Sequence, residues 1–264
     1  MTTSADRTIQ ALRTGHDSLT DLVTDLSPAA LSGSSGASEW TIAQVLSHLG
    51  SGAEIGLAVL EAALAGTPGP DGAVNQGIWD RWNAMDAVQQ AETFVKANEA
   101  LVSRYESLEE QARADLRIDL GFFPEPVELS VVAGFRLNEF TLHSWDVAVA
   151  LDPAAVLAPD AVELLLDVAP HLLGWLGRPE AVLAGRSVAV AVEVDEPART
   201  FGLLIDEKTT LADAPQDAAA TVVLPAESWL RLISGRLAEA HTPAGVEVTG
   251  AITLPELRRI FPGY

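Results

Sequence analysis

Between residues 127 and 151, positions four apart read Val127, Val131, Phe135, Glu139, His143, Val147 and Leu151. On a helix this row places a carboxylate and an imidazole inside an otherwise apolar stripe. A carboxylate left there without a partner costs several kcal/mol, and a bound cation would offset that cost. In an earlier segment His48 lies between Val45 and Gly52 at steps of three and four, again on the apolar side of a helical pattern. Two imidazoles and a carboxylate on facing helices make a three-ligand site for a divalent ion, with one coordination position left for water or substrate. The alternative from the residues alone is a pair of ordinary core histidines beside a chance acid, since acids occupy 37 of the 264 positions. His16, on the apolar stripe of its own segment, is a reserve ligand, while His171 and His241 read as structural or exposed.

The elements that would hold these residues are legible from periodicity. From Ile9 the stripe Leu12, His16, Leu19, Val23, Leu26 predicts a first helix, ended by Ser27-Pro28 and the small-residue run 32–36. Ser38 or Thr41 can cap a second, with Ile42, Val45, Leu49 and Ala53 inward, broken after Leu64 by Gly66-Thr67-Pro68-Gly69-Pro70. A third helical stretch covers about 78–108, and a fourth runs from near Pro126 to about Leu151. Four long helices predict a bundle. After Asp152-Pro153 the composition turns to alanine and proline, and a further helix is expected at about 160–176. Beyond it the period changes to two at Val188, Val190, Val192 and Val194, with further strands expected at 200–205 and 221–224 and helices at 226–233 and 255–260. The expected class is α+β, a four-helix bundle over 1–155 followed by a linking helix and a small α+β domain over 156–264.

Composition narrows the chemistry. The formal net charge is −21 and the Lys and Arg residues are scattered, which argues against nucleic acid or an anionic membrane as partner. With no cysteine, chemistry that needs sulfur must take it from a small molecule. The first residues lack the apolar core of a signal peptide, so the expected location is the cytoplasm.

The segments Glu39-Trp40-Thr41-Ile42-Ala43-Gln44-Val45-Leu46-Ser47-His48-Leu49 and Asn138-Glu139-Phe140-Thr141-Leu142-His143-Ser144-Trp145-Asp146 resemble two motifs of the mycothiol-dependent maleylpyruvate isomerase-like proteins, within the broader DinB-like metal-binding four-helix bundles. The resemblance extends over the whole chain. Ala220 to Trp229, Leu232 to Arg236 and Val248-Thr249-Gly250 fit, loosely, the sterol-carrier-like domain that such proteins often append.

The resemblance implies that His48, Glu139 and His143 hold a divalent metal, zinc in the family's well-understood members. It further implies mycothiol as thiol cosubstrate and a small electrophile as substrate, the thiol adding either to isomerise the substrate or to remain on it. Asp146 is then a candidate for orienting a ligand and Arg81, among Trp79 and Trp82, for holding a substrate carboxylate. Arg236 would face the thiol cofactor across a domain cleft. Other readings of the same residues are a small-molecule binding protein with a structural metal, and a ferrous oxygenase of the two-histidine, one-carboxylate type. Monomer and homodimer are both compatible with the sequence.

Overall fold

The computed structural model of the protein describes residues 3–183 and 185–263. The chain forms two compact units, Met1–Ala155 and Val156–Tyr264.

The first unit is helical. Its long helices are α1 (Ser4–Thr24), α3 (Ile42–Ala65), α5 (Ala87–Glu106) and α7 (Leu129–Leu151), joined through the shorter α2 (Pro28–Leu31), α4 (Gly72–Asn83) and α6 (Glu110–Asp115). Helices α3 and α5 pack together, as do α1 and α7, while α1 also meets α5 and α3 meets α7. The contact faces are the apolar rows read from the sequence: Ile9, Leu12, Leu19 and Val23 on α1, Val45, Leu46, Leu49 and Ala53 on α3, and Ala133, Leu137, Phe140 and Val147 on α7 are all buried. Burying each of the Val, Leu, Ile and Phe side chains among them contributes roughly 1.5–3 kcal/mol, which is what brings the helices together.

Two boundaries differ from the sequence reading, each for a local reason. The single helix expected over about 78–108 is two helices, α4 and α5. Asp86 ends the continuity because its side chain accepts from Gln89 N while Gln89 returns a bond to Asp86 N, the reciprocal cap that starts a new helix. The helix expected from Pro126 begins at Leu129, since Val127–Glu128 (β2) pairs antiparallel with Arg117–Ile118 (β1). For α3 the choice between two caps falls to Thr41, whose hydroxyl accepts from Gln44 N, and Gly66 closes the helix in the left-handed conformation.

The second unit opens with α8 (Pro159–Leu176) and α9 (Glu180–Leu183), followed by β3 (Val188–Asp195), β4 (Arg199–Ile205), β5 (Thr209–Ala212) and β6 (Ala220–Pro225). It ends with α10 (Ala226–Ile233), a single 3-10 turn at Glu239–His241, β7 (Glu247–Gly250) and α11 (Leu254–Ile260). The sheet order is β5-β4-β3-β6-β7; β3 and β6 are parallel and every other pair is antiparallel. The period-two row Val188, Val190, Val192 and Val194 is buried, and so are Trp229, Leu232 and Ile233 on α10. The strands not expected from the sequence, β5 and β7, are the short edges of the sheet. The fold is α+β, a helical region followed by a sheet unit. Among the described residues no helix is long and apolar enough to cross a membrane.

Candidate metal centre

His48 sits about two turns into α3 from its Thr41 cap, on the side that meets α7. Glu139 and His143 are one turn apart on α7. The three side chains converge: one ligand atom from each lies within 4.8 Å of the other two. His48 Nε2 is 3.3 Å and His143 Nε2 3.7 Å from the same carboxylate oxygen, Glu139 Oε2, and the imidazole centroids are 4.6 Å apart. This donor set, two ring nitrogens and one carboxylate oxygen facing a common point, fits a divalent ion with borderline-soft preference such as zinc.

The environment of the cluster differs from the sequence expectation in one respect. The side chains of His48 and Glu139 are 38% and 35% exposed, so Glu139 does not carry the burial cost that its place in an apolar row suggested. The fully buried acid is Asp146, whose Oδ2 lies 2.8 Å from His143 Nδ1. That contact fixes the ring orientation and leaves Nε2 as the nitrogen turned toward His48 and Glu139.

Trp40 covers the histidines. Its ring centroid is 5.3 Å from that of His48 and 5.9 Å from that of His143, the latter nearly parallel at 23°. The loop that carries it is fastened to α7, Gly36 N donating to Asp146 O at 2.7 Å. A β-carbon at Gly36 would lie 2.6 Å from Val149 Cγ1 and 3.0 Å from Asp146 Cα, so only glycine allows this approach. Just before the indole, Glu39 takes the left-handed φ of 68°, a conformation that side chains rarely adopt. Asp146 therefore makes two contacts at the cluster, its carboxylate on His143 and its carbonyl on the loop that carries Trp40.

One turn before Glu139 on α7, the guanidinium of Arg136 donates from Nη2 to Leu49 O at 2.9 Å and to Asn98 Oδ1 at 2.7 Å, and lies 5.7 Å over Phe140. Burial pulls its pKa down to about 10. Asn98 in turn contacts His16 Nδ1 at 2.9 Å, and His16 Nε2 lies 3.0 Å from Glu99 Oε2. His16 thus belongs to this polar chain across α1, α5 and α7 and lies outside the ligand cluster. The spacing of Arg136, Glu139 and His143, three and four residues apart, already placed all three on one helix face. A row taken in steps of four alone does not contain the arginine.

Arg81 is on α4, half-exposed, and ion-paired with Glu54 of α3, which also accepts from Trp82 Nε1 at 2.9 Å. Burial would raise the Glu54 pKa, but the bonds from Arg81 and Trp82 outweigh it and hold the carboxyl below its ordinary range. Arg236, in the second unit, is buried and donates from Nη1 to Ser234 O at 3.1 Å. His171 is exposed.

Fold and site together describe a helical unit with a candidate His-Glu-His metal cluster, joined to a smaller α+β unit. The chain belongs to the family described as the mycothiol maleylpyruvate isomerase N-terminal domain, whose pattern matches residues 12–148. Among solved structures, a mycothiol-dependent maleylpyruvate isomerase and a variant of it with one histidine changed to alanine each superpose with a TM-score of 0.65 at 14% identity. The match covers 96% of this chain and 98% of theirs. No curated protein matches the chain.

Proposed function

We propose that this protein is a metal- and mycothiol-dependent enzyme of the maleylpyruvate isomerase type, acting on a small electrophile. The observation that carries the reading is the convergence of His48, Glu139 and His143 ligand atoms within 4.8 Å, inside the segment that matches the family. These three residues would hold the ion, zinc by the donor set. When bound, the ion supplies the Lewis acidity that keeps a small-molecule thiol deprotonated at neutral pH, a nucleophile the chain cannot provide because it has no cysteine.

Asp146 holds His143 in the tautomer that presents Nε2. Trp40 lies against both imidazoles and limits the water that reaches them. Arg81 and Arg236 are assigned to substrate and to thiol cofactor respectively; for Arg81 this requires that substrate compete with Glu54 for the guanidinium.

The test is turnover of maleylpyruvate by zinc-loaded protein with and without mycothiol, beside the visible spectrum of the cobalt-substituted protein. The expected result is turnover only with thiol present, and a new charge-transfer band when mycothiol is added to the cobalt form. Full turnover without thiol, or a cobalt spectrum unaltered by saturating mycothiol, would overturn the reading in favour of a binding protein or an oxygen-dependent enzyme.

A further inference from the structure

Arg13, Arg81, Arg104, Arg113 and Arg117 of the helical unit each form an ion pair with a carboxylate. Arg136 forms none among the described residues, although it is half-buried between α3, α5 and α7 and acids are abundant in the chain. Its Nη2 is taken by Leu49 O and Asn98 Oδ1, and its Nε is sealed from solvent without any partner. Nη1 has no protein partner either and is not among the sealed atoms, so it remains open to solvent. A cation fixed at one edge and short of hydrogen-bond acceptors, whose opposing charge is the Glu139 carboxylate acting without a direct ion pair, is costly to keep unless a further acceptor joins it.

Both helices place this guanidinium beside the metal cluster. Arg136 is one turn before Glu139 on α7. On α3 the residue one turn beyond His48 is Gly52, where a β-carbon would sit 3.1 Å from Arg136 Nη1. Glycine at that position puts no side chain from α3 against Nη1, and Gly52 and Arg136 are each one turn along their helix from His48 and Glu139. Asn98 and Leu49 O hold the plane in place before any ligand arrives, so little side-chain entropy is lost on binding.

We propose that Arg136 holds one carboxylate of the substrate beside the cluster, a role separate from that of Arg81, which must first give up Glu54, and that Arg136 sets the preference for a charged over an uncharged ligand there. The proposal rests on the catalytic reading above for the location of the site, and on the unsatisfied guanidinium for the charge of what enters it. Two interactions are available: Nη1–H donates to one carboxylate oxygen, and the positive charge compensates the other.

Maleate and its uncharged diamide have the same carbon skeleton and serve as probes, titrated calorimetrically into zinc-loaded and zinc-free protein. The wild-type protein should prefer maleate over the diamide by about tenfold or more in both forms, since a charged hydrogen bond is the difference between the probes. Arg136→Met should remove most of that preference while the protein still binds zinc. Gly52→Ala, which places a methyl against Nη1 and keeps the guanidinium and its charge, should reduce it too, and it decides the matter if Arg136→Met does not fold.

Equal maleate binding by the wild-type protein and both variants would overturn the proposal. So would a preference that disappears when zinc is removed from the wild-type protein, because the metal would then be what holds the carboxylate. Maleate binding that depends on Arg136 in a protein without thiol-dependent turnover would uphold the arginine assignment while removing the catalytic reading.

Discussion

Asp146 Oδ2 lies 2.8 Å from Nδ1 of His143, and Asp146 has no exposed surface. A buried carboxylate accepting from the far nitrogen of a ligating imidazole both orients the ring and raises its basicity. Asp146→Ala should therefore lower zinc affinity by about ten- to a hundredfold without touching a ligand atom. Asp146→Asn, which can still present a carbonyl oxygen to Nδ1–H, should lose less. Competition against a chromophoric chelator measures both. Wild-type affinity in the alanine variant would mean that the contact serves the fold alone.

The ligands themselves should be ranked by type. His48→Ala and His143→Ala are each expected to remove most of the bound metal, because one of three donors is lost with none to replace it. Glu139→Gln keeps an oxygen donor and should retain more. The partial exposure of Glu139 alters what metal removal does to stability. With the carboxylate open to water, zinc should raise the melting temperature by mass action on the folded state, in proportion to the logarithm of free zinc, and relief of a buried charge should contribute little. Melting curves over a range of buffered zinc concentrations test this. Metal content unaltered in both histidine variants would remove the site.

How far the site was legible depended on whether a relation ran along one helix or across the fold. Glu139, His143 and Asp146 share a face at steps of four and three, so their proximity follows from helical period alone. His48 meets them only through the packing of α3 on α7, which periodicity suggests but does not specify. The Trp40 stack needs Gly36 docked on Asp146 O and the left-handed turn at Glu39, neither of which leaves a periodic mark. The same division holds for the fold. The β3 alternation Val188 to Val194 was plain, whereas the edge strand β7, exposed along most of its length, carries no apolar pattern to read.

Gly50 offers a test of the packing that supports α3. The fully buried Trp82 ring lies against it, and a β-carbon there would come within 2.1 Å of Trp82 Cη2. Gly50→Ala should cost about 1–3 kcal/mol by displacing that ring, lowering the melting temperature by several degrees. Gly77 on α4 is the control, since a β-carbon there meets nothing within 4 Å. Gly77→Ala should be neutral or stabilising by up to about 1 kcal/mol, as alanine is the better helix former. Equal melting temperatures for the two variants would contradict the packing.

His16 should make the helical unit sensitive to mild acid, and the hydrogen-bond chain fixes the sign. Asn98 Oδ1 accepts from Arg136, so the amide nitrogen of Asn98 donates to His16 Nδ1, and His16 Nε2–H donates to Glu99. The imidazole is thereby neutral. Protonating Nδ1 would set it against the Asn98 amide, and turning the amide over would set it against Arg136 instead. Burial lowers the His16 pKa below its ordinary 6.5, with Glu99 opposing and Arg13 reinforcing the effect. Glu99 itself is held at about 2 by its bonds from Arg13 and stays charged throughout the range. Because the folded pKa lies below the unfolded one, the unfolded chain binds more protons as the pH falls past 6.5. The contribution of His16 is thus fully present above pH 6.5 and is lost progressively as the pH falls from there to the folded pKa. Melting temperatures between pH 7.5 and 5 should fall more steeply for the wild-type protein than for His16→Gln, and nitrogen NMR at neutral pH should show the Nε2–H tautomer. A His16 imidazolium at pH 7, or a titration midpoint above 6.5, would contradict the chain of bonds from Arg136 to Glu99.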